Sequence, residues 1–158
     1  MKIIKADKTQ KHAVLKLLDD FRTECHRIIH PNGSKEKFYP SMAQDKGGSL
    51  FEKIVDSSTS AIFLAEENGK FIGICTVNAV PQIRHGAYVG EIEEMFVYPD
   101  HQGTGVALKL MEAVESWAKQ HDIHFLRLES GNELLRAHGF YEKMKFRHYA
   151  RAYEKNID

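Results

Sequence analysis

The segment Val97–Met111, VYPDHQGTGVALKLM, places two glycines and a threonine between a strand-like end and an amphipathic helix. Such a turn leaves the first main-chain N–H groups of the helix without acceptors, at the positive end of the helix dipole. Gly103 and Gly105 have no Cβ and so allow phosphate oxygens to come close to the backbone, and Thr104 adds a hydroxyl donor. The segment predicts a site for a phosphorylated ligand, although glycines that serve only a tight turn would give the same pattern.

Two common nucleotide-binding motifs do not fit this segment. The dinucleotide fingerprint needs a third small residue where this chain has Leu108, and no Gly-Lys-Ser/Thr ends the loop as a P-loop requires. The glycines therefore predict a phosphate site of another kind.

The strand-like stretch just before the glycines carries three carboxylates in four residues. By the two-residue period of a strand, Glu91 and Glu93 share one face of the predicted strand Tyr88–Val97, and Glu94 points to the other. Carboxylates at the centre of a sheet are costly unless they are solvated or used. They are candidates for proton transfer, for an ion pair, or for binding a cationic ligand at the rim of a site.

Composition and charge narrow the class of protein. Lys+Arg and Asp+Glu both number 22 in 158 residues, so there is no overall basic field to attract nucleic acid or an anionic membrane. The two cysteines are far apart, the first ten residues lack the apolar core of a signal peptide, and no apolar run is long enough to span a bilayer. We expect a cytosolic protein with reduced thiols and no membrane span.

Apolar periodicity predicts the elements that hold these residues. A helix begins near Ala13, a long loop covers His30–Gly48, and Ser49–Ser57 is a second short helix. The remaining predicted elements are the hairpin strands Ala61–Glu66 and Phe71–Val80, the strand Tyr88–Val97, the helix after the glycines, the strand His124–Ser130, the helix Asn132–Met144 and a last strand, Phe146–Lys155. This order predicts an α+β fold around a central sheet.

Three motifs together resemble one enzyme family. VYPDHQGTGVA matches V-x-P-x-x-[RQ]-x-x-G-x-[GA], with GEIEEMF before it and AHGFYEKMKF after it. In these motifs and their order the chain resembles the GNAT superfamily of N-acetyltransferases, from the IIKA strand to FYEKMKF. The resemblance implies a single N-acetyltransferase domain over residues 1–158. Its implied fold is a mixed, mostly antiparallel sheet with helices on both faces and acetyl-CoA in the splay between the fourth and fifth strands.

The resemblance also implies how acetyl-CoA, the acetyl donor, would bind. The pantetheine would pair like an added strand with the main chain of Met95, Phe96 and Val97, which asks little of their side chains. The pyrophosphate would lie on the backbone of six successive residues: Gln102, Gly103, Thr104, Gly105, Val106 and Ala107. Tyr141 would lie near the thioester sulfur.

The chemistry that the resemblance implies needs a base, an oxyanion donor and a proton for the leaving thiolate. Glu93 or Glu91 would deprotonate the amine, directly or through water, with Glu93 favoured. Tyr141 would protonate the thiolate, and the N–H of Met95 or Phe96 would face the thioester carbonyl. Without the motif, Tyr141 would be read as a packing residue of an amphipathic helix.

Three residues depart from the usual family pattern. Lys145 stands where a glycine commonly ends the helix, and a left-handed conformation there costs a lysine roughly 1 kcal/mol. Gly139 stands where many relatives carry arginine, and Gln102 replaces the commoner arginine of the loop, so it offers hydrogen bonds without charge. The changes at Lys145 and Gly139 bear on the placement of Tyr141.

The acceptor and the assembly are the least specified features. The carboxylates of the strand, with Asp45 and the His30–Gly48 loop as walls, favour a small cationic amine. A protein or peptide amine, or a non-catalytic acyl-CoA binding module, are the alternatives. We expect no metal, because the scattered histidines and cysteines lack ligand spacing. The aromatic residues of Phe146–Lys155 could form a sheet edge that pairs between subunits, and members of the resembled family are often dimers, so we expect a homodimer.

Overall fold

The computed structural model describes residues 1–33, 47–155 and 157. Five strands form one sheet in the order β1-β2-β3-β4-β5, in which every neighbouring pair is antiparallel except the parallel pair β4 and β5. The strands are β1 (Lys2–Lys5), β2 (Ser60–Glu67), β3 (Lys70–Gln82), β4 (Ala87–Val97) and β5 (Leu126–Leu128). The helices are α1 (Lys11–Ile29), α2 (Gly48–Val55), α3 (Val106–Gln120) and α4 (Leu135–Lys143). The predicted mixed, mostly antiparallel α+β sheet is confirmed.

Helices cover both faces of the sheet, as the resemblance implies. Val14 and Leu17 of α1 and Phe51 of α2 pack on one face, against Ile74 and its neighbours. The other face is covered by α3, whose buried residues lie at helical spacing, and by part of α4: Leu110, Met111, Val114, Trp117, Phe140 and Tyr141. The sheet therefore lies between two helical layers, and β4 contributes buried residues to both cores.

A hydrogen-bonded contact fixes α1 to the end of β4. The Tyr98 hydroxyl donates to the Asp20 carboxylate, which also pairs with Lys16 at 2.6 Å. Tyr98 directly follows β4 and packs edge-to-face on Phe96. This contact holds the start of the glycine loop against the first helix.

Some predicted elements differ from the observed ones. Phe146–Lys155 forms no strand, although its polar and apolar residues alternate, and β5 is only three residues long rather than His124–Ser130. Tyr149 and Tyr153 remain exposed, at 60% and 89%. A short β5 offers few ladder groups, so alternation alone does not recruit a sixth strand. Most of the predicted His30–Gly48 loop, with Asp45, lies outside the described residues.

The C-terminal end of α4 shows how the chain accommodates Lys145. Lys145 adopts the left-handed conformation, with φ of 66°. Its N–H donates to the Glu142 carbonyl at 2.9 Å, and the N–H of Phe146 donates to the Tyr141 carbonyl at 2.9 Å. These two bonds are the Schellman pattern that usually has glycine at this position. Lys145 therefore adopts a strained left-handed conformation, and α4 ends at the same position as in the motif that has glycine there.

We expect Lys145→Gly to raise the free energy of unfolding. The gain should be about 0.5–1 kcal/mol, because glycine removes the left-handed strain but adds entropy to the unfolded chain. Urea unfolding followed by circular dichroism measures it. The matched control is Lys143→Gly, which places glycine inside the last turn of α4 and should destabilise. A loss of stability in both variants would contradict the strain at Lys145.

Candidate active site

β4 and β5 separate after three paired residues. The ladder joins Gly90 to Leu126 and Ile92 to Leu128 and then ends. Gly90 allows this close approach, since a Cβ there would lie 2.5 Å from Cδ2 of Leu126. Beyond Ile92, the β5-facing edge of β4 has no strand partner among the described residues. The sheet thus opens into a splay that begins at Glu93.

The register shows which main-chain groups face this splay. The N–H of Tyr98 donates to the Ile72 carbonyl at 3.1 Å, and Phe96 is the register partner of Ile74. By the alternation of an antiparallel ladder, the main chain of Phe96 points toward β3, and that of Met95 and Val97 points toward the splay. Of the three residues predicted to pair with pantetheine, these two have main-chain groups on the open edge.

A β-bulge changes the faces on which the β4 carboxylates lie. Cys75 pairs with Met95 and Val77 pairs with Ile92, so Thr76 alone stands opposite Glu93 and Glu94. The expectation that Glu94 points to the face opposite Glu91 is therefore wrong. The extra residue resets the alternation before Glu94.

Glu91 and Glu94 share the face that carries α1 and α2. The Thr76 hydroxyl donates to the Glu94 carboxylate, and the N–H of Glu94 donates to the Thr76 hydroxyl at 3.0 Å. Asn78, which lies two residues beyond Thr76 on the same face, is the register partner of Glu91. Glu93 lies at the bulge, is exposed, and lines a cavity together with Glu91.

The three carboxylates have different surroundings. Glu91 pairs with Arg127 of β5 at 2.7 Å, and both side chains are about three-quarters buried, with exposures of 23% and 26%. Glu93 forms no ion pair with the described residues and lines two adjoining cavities. Glu129, just after β5, lines both cavities as well. The mouth of the splay is acidic, and its one ion pair within the described chain joins β4 to β5.

A cavity at the splay is lined by residues from both faces of the sheet. Phe21 of α1 lies at one end, on the face that carries the first two helices. Met95 and Tyr141 lie at the other end, on the face that carries α3 and α4. Glu93 and Glu129 border the cavity between these ends. Two reactants could therefore approach from opposite faces and meet beside Glu93.

Glu94 is the carboxylate whose pKa the fold perturbs. Burial raises its pKa above the usual 4.5, the hydrogen bond from Thr76 opposes this shift, and the neighbouring charge of Glu93 adds to it. A raised pKa means that the folded state holds the proton more tightly than the unfolded chain. Stability from Glu94 is complete below pH 4.5 and is lost as pH rises through its folded pKa.

We expect Glu94→Gln to be more stable than the original protein at pH 7.5 and to approach it in stability below pH 4.5. The amide stays neutral and can still accept the Thr76 hydrogen bond. Thermal unfolding across this pH range measures the difference. Glu112→Gln, on the exposed face of α3, is the control for the same chemical change at a surface site. A Glu94→Gln effect that is the same at every pH would contradict the shift.

Tyr141 lies on α4, inside the cavity wall. Its ring meets Phe140 and Phe146 edge-to-face, at 5.5 Å and 5.8 Å between centroids. Burial raises the pKa of its hydroxyl, with smaller contributions from Cys75 and Cys25. The phenol therefore stays protonated through the neutral and alkaline range. The packing role and the proton-donor role are both compatible with this position.

The glycine loop, at the other end of the splay, has a backbone conformation suited to binding an anion. Gly103 and Gly105 have positive φ angles of 83° and 90°, which other residues adopt only with strain. The N–H groups of residues 103–107 have no acceptor in the described chain. Five N–H groups without acceptors at the start of α3 are what an anion site requires.

The side chains of this loop are occupied internally. Gln102 donates from Nε2 to the Val97 carbonyl at 2.9 Å, and its N–H donates to the Pro99 carbonyl at 3.2 Å. Thr104 donates its hydroxyl to the His101 carbonyl at 2.6 Å. The sequence predicts that the side chains of Gln102 and Thr104 donate to the ligand. In the structure they donate within the protein instead and stabilise the loop. Main-chain groups are what the loop offers to a ligand.

Sequence reasoning missed Glu129 and Phe21 as cavity residues. Glu129 lies within HFLRLES and directly follows β5, and strand ends commonly carry binding residues, but this signal depends on knowing where β5 stops. Phe21 looks like any member of the apolar stripe of α1. Among the described residues, no group of three or more His, Cys, Asp or Glu is placed to hold a metal. No described helix is long and apolar enough to cross a membrane.

The chain belongs to the acetyltransferase (GNAT) family, whose model matches residues 14–146. It is 30% identical over 101 residues to an uncharacterized N-acetyltransferase of Archaeoglobus fulgidus, covering 63% of this chain and 68% of that protein. It is 28% identical over 78 residues to the aminoalkylphosphonate N-acetyltransferase of Salmonella typhimurium, covering 49% of this chain and 51% of that protein. The protein is an N-acetyltransferase, and GNAT acetyltransferases use acetyl-CoA.

The fold is shared with solved acetyltransferases. One is AAC(6')-Iy in complex with the bisubstrate analogue CoA-S-monomethyl-acetylneamine, with a TM-score of 0.73, 19% identity, and coverage of 99% of this chain and 97% of that one. The expected fold is confirmed at this level. The roles of individual site residues, a homodimer and a cytosolic location stay predictions.

Proposed function

We propose that the enzyme transfers an acetyl group from acetyl-CoA directly to the primary amine of a small cationic molecule, with residues 1–158 acting as a single domain. The observation that carries this proposal is the cavity at the splay. It joins the open edge of β4 to an acidic mouth bordered by Glu93 and Glu129, with Tyr141 in its wall.

The donor half of the site is formed by main-chain groups. Residues 103–107 would bind the pyrophosphate through their free N–H groups, and the outward groups of Met95 and Val97 would hold the pantetheine along the edge of β4. The N–H of Met95 faces the splay and would stabilise the oxyanion that forms on the thioester carbonyl. Gln102 would act by holding Val97 and the loop together.

The acceptor half of the site supplies the base. Glu93 would take the proton from the ammonium group, so that the neutral nitrogen attacks the thioester carbonyl carbon. A carbon–nitrogen bond forms, the carbon–sulfur bond breaks, and its electron pair goes to the sulfur; the second proton, which the nitrogen loses as the amide forms, ends on the thiolate. Tyr141, protonated because of its raised pKa, would donate a hydrogen bond to the departing thiolate. Glu91 would keep β4 and β5 together through its pair with Arg127.

The charge of the mouth favours a cationic acceptor. Glu91, Glu93 and Glu129 line one cavity, and Arg127 pairs with the first of them. An acceptor with two positive charges could form an ion pair with Glu93 and another with Glu129. The relative from Salmonella typhimurium is named for an aminoalkylphosphonate, which is also a small amine, so the panel of candidate acceptors must include both kinds.

A mass-spectrometric screen tests this proposal. The protein is incubated with acetyl-CoA and separate panels of polyamines, aminoglycosides, amino acids, aminoalkylphosphonates and lysine peptides, each beside Tyr141→Phe. We expect one class of small cationic amine to gain an acetyl group, more slowly in the variant. Transfer to peptides alone would overturn the small-molecule acceptor. Binding of acetyl-CoA without any transfer would support a non-catalytic module instead.

A further inference from the structure

A single arginine lies beside the glycine loop. Arg136 is in the first turn of α4, and one of its terminal nitrogens lies 3.5 Å from the position that a Cβ on Gly103 would occupy. Its side chain is exposed and forms no ion pair with any carboxylate in residues 1–33, 47–155 and 157. An unpaired guanidinium thus lies beside the loop backbone at Gly103.

The loop itself provides no free cation. Gln102 is neutral, and its amide is bonded to the Val97 carbonyl. The Thr104 hydroxyl donates within the loop, and His101 faces the Glu67 carboxylate at 3.7 Å. Backbone N–H groups carry only partial charges, so a ligand with two phosphate charges would be left incompletely neutralised by the loop alone.

We propose that Arg136 is a binding residue for the pyrophosphate of acetyl-CoA and supplies the positive charge that Gln102 lacks. This inference rests on the proposed function. A guanidinium presents its donors in a planar fork that matches two phosphate oxygens. Because the side chain lies over Gly103, at the centre of the loop, the pyrophosphate is the phosphate group within its reach. The positive charge at the pyrophosphate is thus supplied by a residue of α4 and not by a residue of the glycine loop.

Calorimetric titration of CoA and of 3′-dephospho-CoA tests this assignment. Both ligands keep the pyrophosphate, and the second lacks the 3′-phosphate. We expect Arg136→Gln to weaken both by the same factor, about tenfold, and to flatten the dependence of the Kd on salt. Arg136→Lys keeps the charge but lacks the planar fork of donors, so its Kd values should lie between those of the unaltered protein and those of Arg136→Gln. Arg84→Gln, an equal charge change at the opposite end of β4, should leave both Kd values and their salt dependence as they were.

Three results would overturn the assignment. Unchanged binding of both ligands by Arg136→Gln would show that the side chain does not contact CoA. A loss seen with CoA but not with 3′-dephospho-CoA would assign Arg136 to the 3′-phosphate. An equal loss of affinity in Arg84→Gln would show that the effect comes from the overall charge of the protein and not from a contact of Arg136. If the unaltered protein binds neither ligand, the proposed function fails as well, and this outcome is distinct because it needs no variant.

Discussion

Glu93→Gln is expected to lower kcat/KM for the acceptor amine by about 10²–10⁴-fold at pH 7, the range that a positioned general base contributes. The amide has nearly the same shape as the carboxylate but cannot accept the ammonium proton. Glu93 borders both cavities and forms no ion pair within the described chain, so its loss should affect the proton transfer more than the fold. Steady-state rates against pH measure the effect.

The pH dependence separates a base from a rim residue. The deficit of Glu93→Gln should shrink as pH approaches the acceptor's own pKa, about 10 for a simple alkylamine, because the amine then arrives neutral. Glu129→Gln is the matched control at the same mouth, and it should raise KM with little change in kcat. If Glu93→Gln behaved like Glu129→Gln at every pH, Glu93 would bind the cationic acceptor and would not act as the base.

The three carboxylates of β4 show which features of the site can be predicted from the sequence and which cannot. Their presence in one strand is visible in GEIEEMF, and so is the cost of burying them. The bulge opposite Thr76 is not visible, because it depends on the register between two strands whose side chains fit either pairing. The Arg127 partner of Glu91 is likewise not visible in the sequence, because it depends on how β5 pairs with β4.

The glycine loop was predicted more completely. Gly103 and Gly105 have the left-handed angles, and the free N–H groups follow, because both depend on local conformation that the glycines permit. The internal bonds of Gln102 and Thr104 and the approach of Arg136 depend on how the loop and α4 pack. Tertiary contacts of this kind leave no periodic signal in the chain.

The last segment illustrates the limit of alternation as evidence. Phe146–Lys155 alternates as well as some true strands do, yet it forms none. A strand needs a neighbour with free ladder groups, and β5 pairs over only three residues. The same pattern in Tyr88–Val97 produced a strand because β3 offers a long complementary edge.

Gly105→Val is expected to weaken acetyl-CoA binding by at least about 100-fold, which equals the loss of one or two charge-assisted hydrogen bonds. Gly105 precedes α3 with φ of 90°, and no atom lies within 4 Å of the position of an added Cβ. That open space is where a phosphate would approach the N–H groups. Valine would fill it and would also disfavour the angle that directs them outward.

Gly86→Val separates this effect from general strain. Gly86 also has a positive φ, 60°, and open space around its Cβ position, but it lies in the turn between β3 and β4, far from the loop. Both variants should lose about 1–2 kcal/mol or more of stability from the left-handed conformation. Only Gly105→Val should lose acetyl-CoA affinity in calorimetric titration. Equal affinities in the two variants would mean that the ligand does not depend on the backbone of this loop, and the phosphate site would have to lie elsewhere.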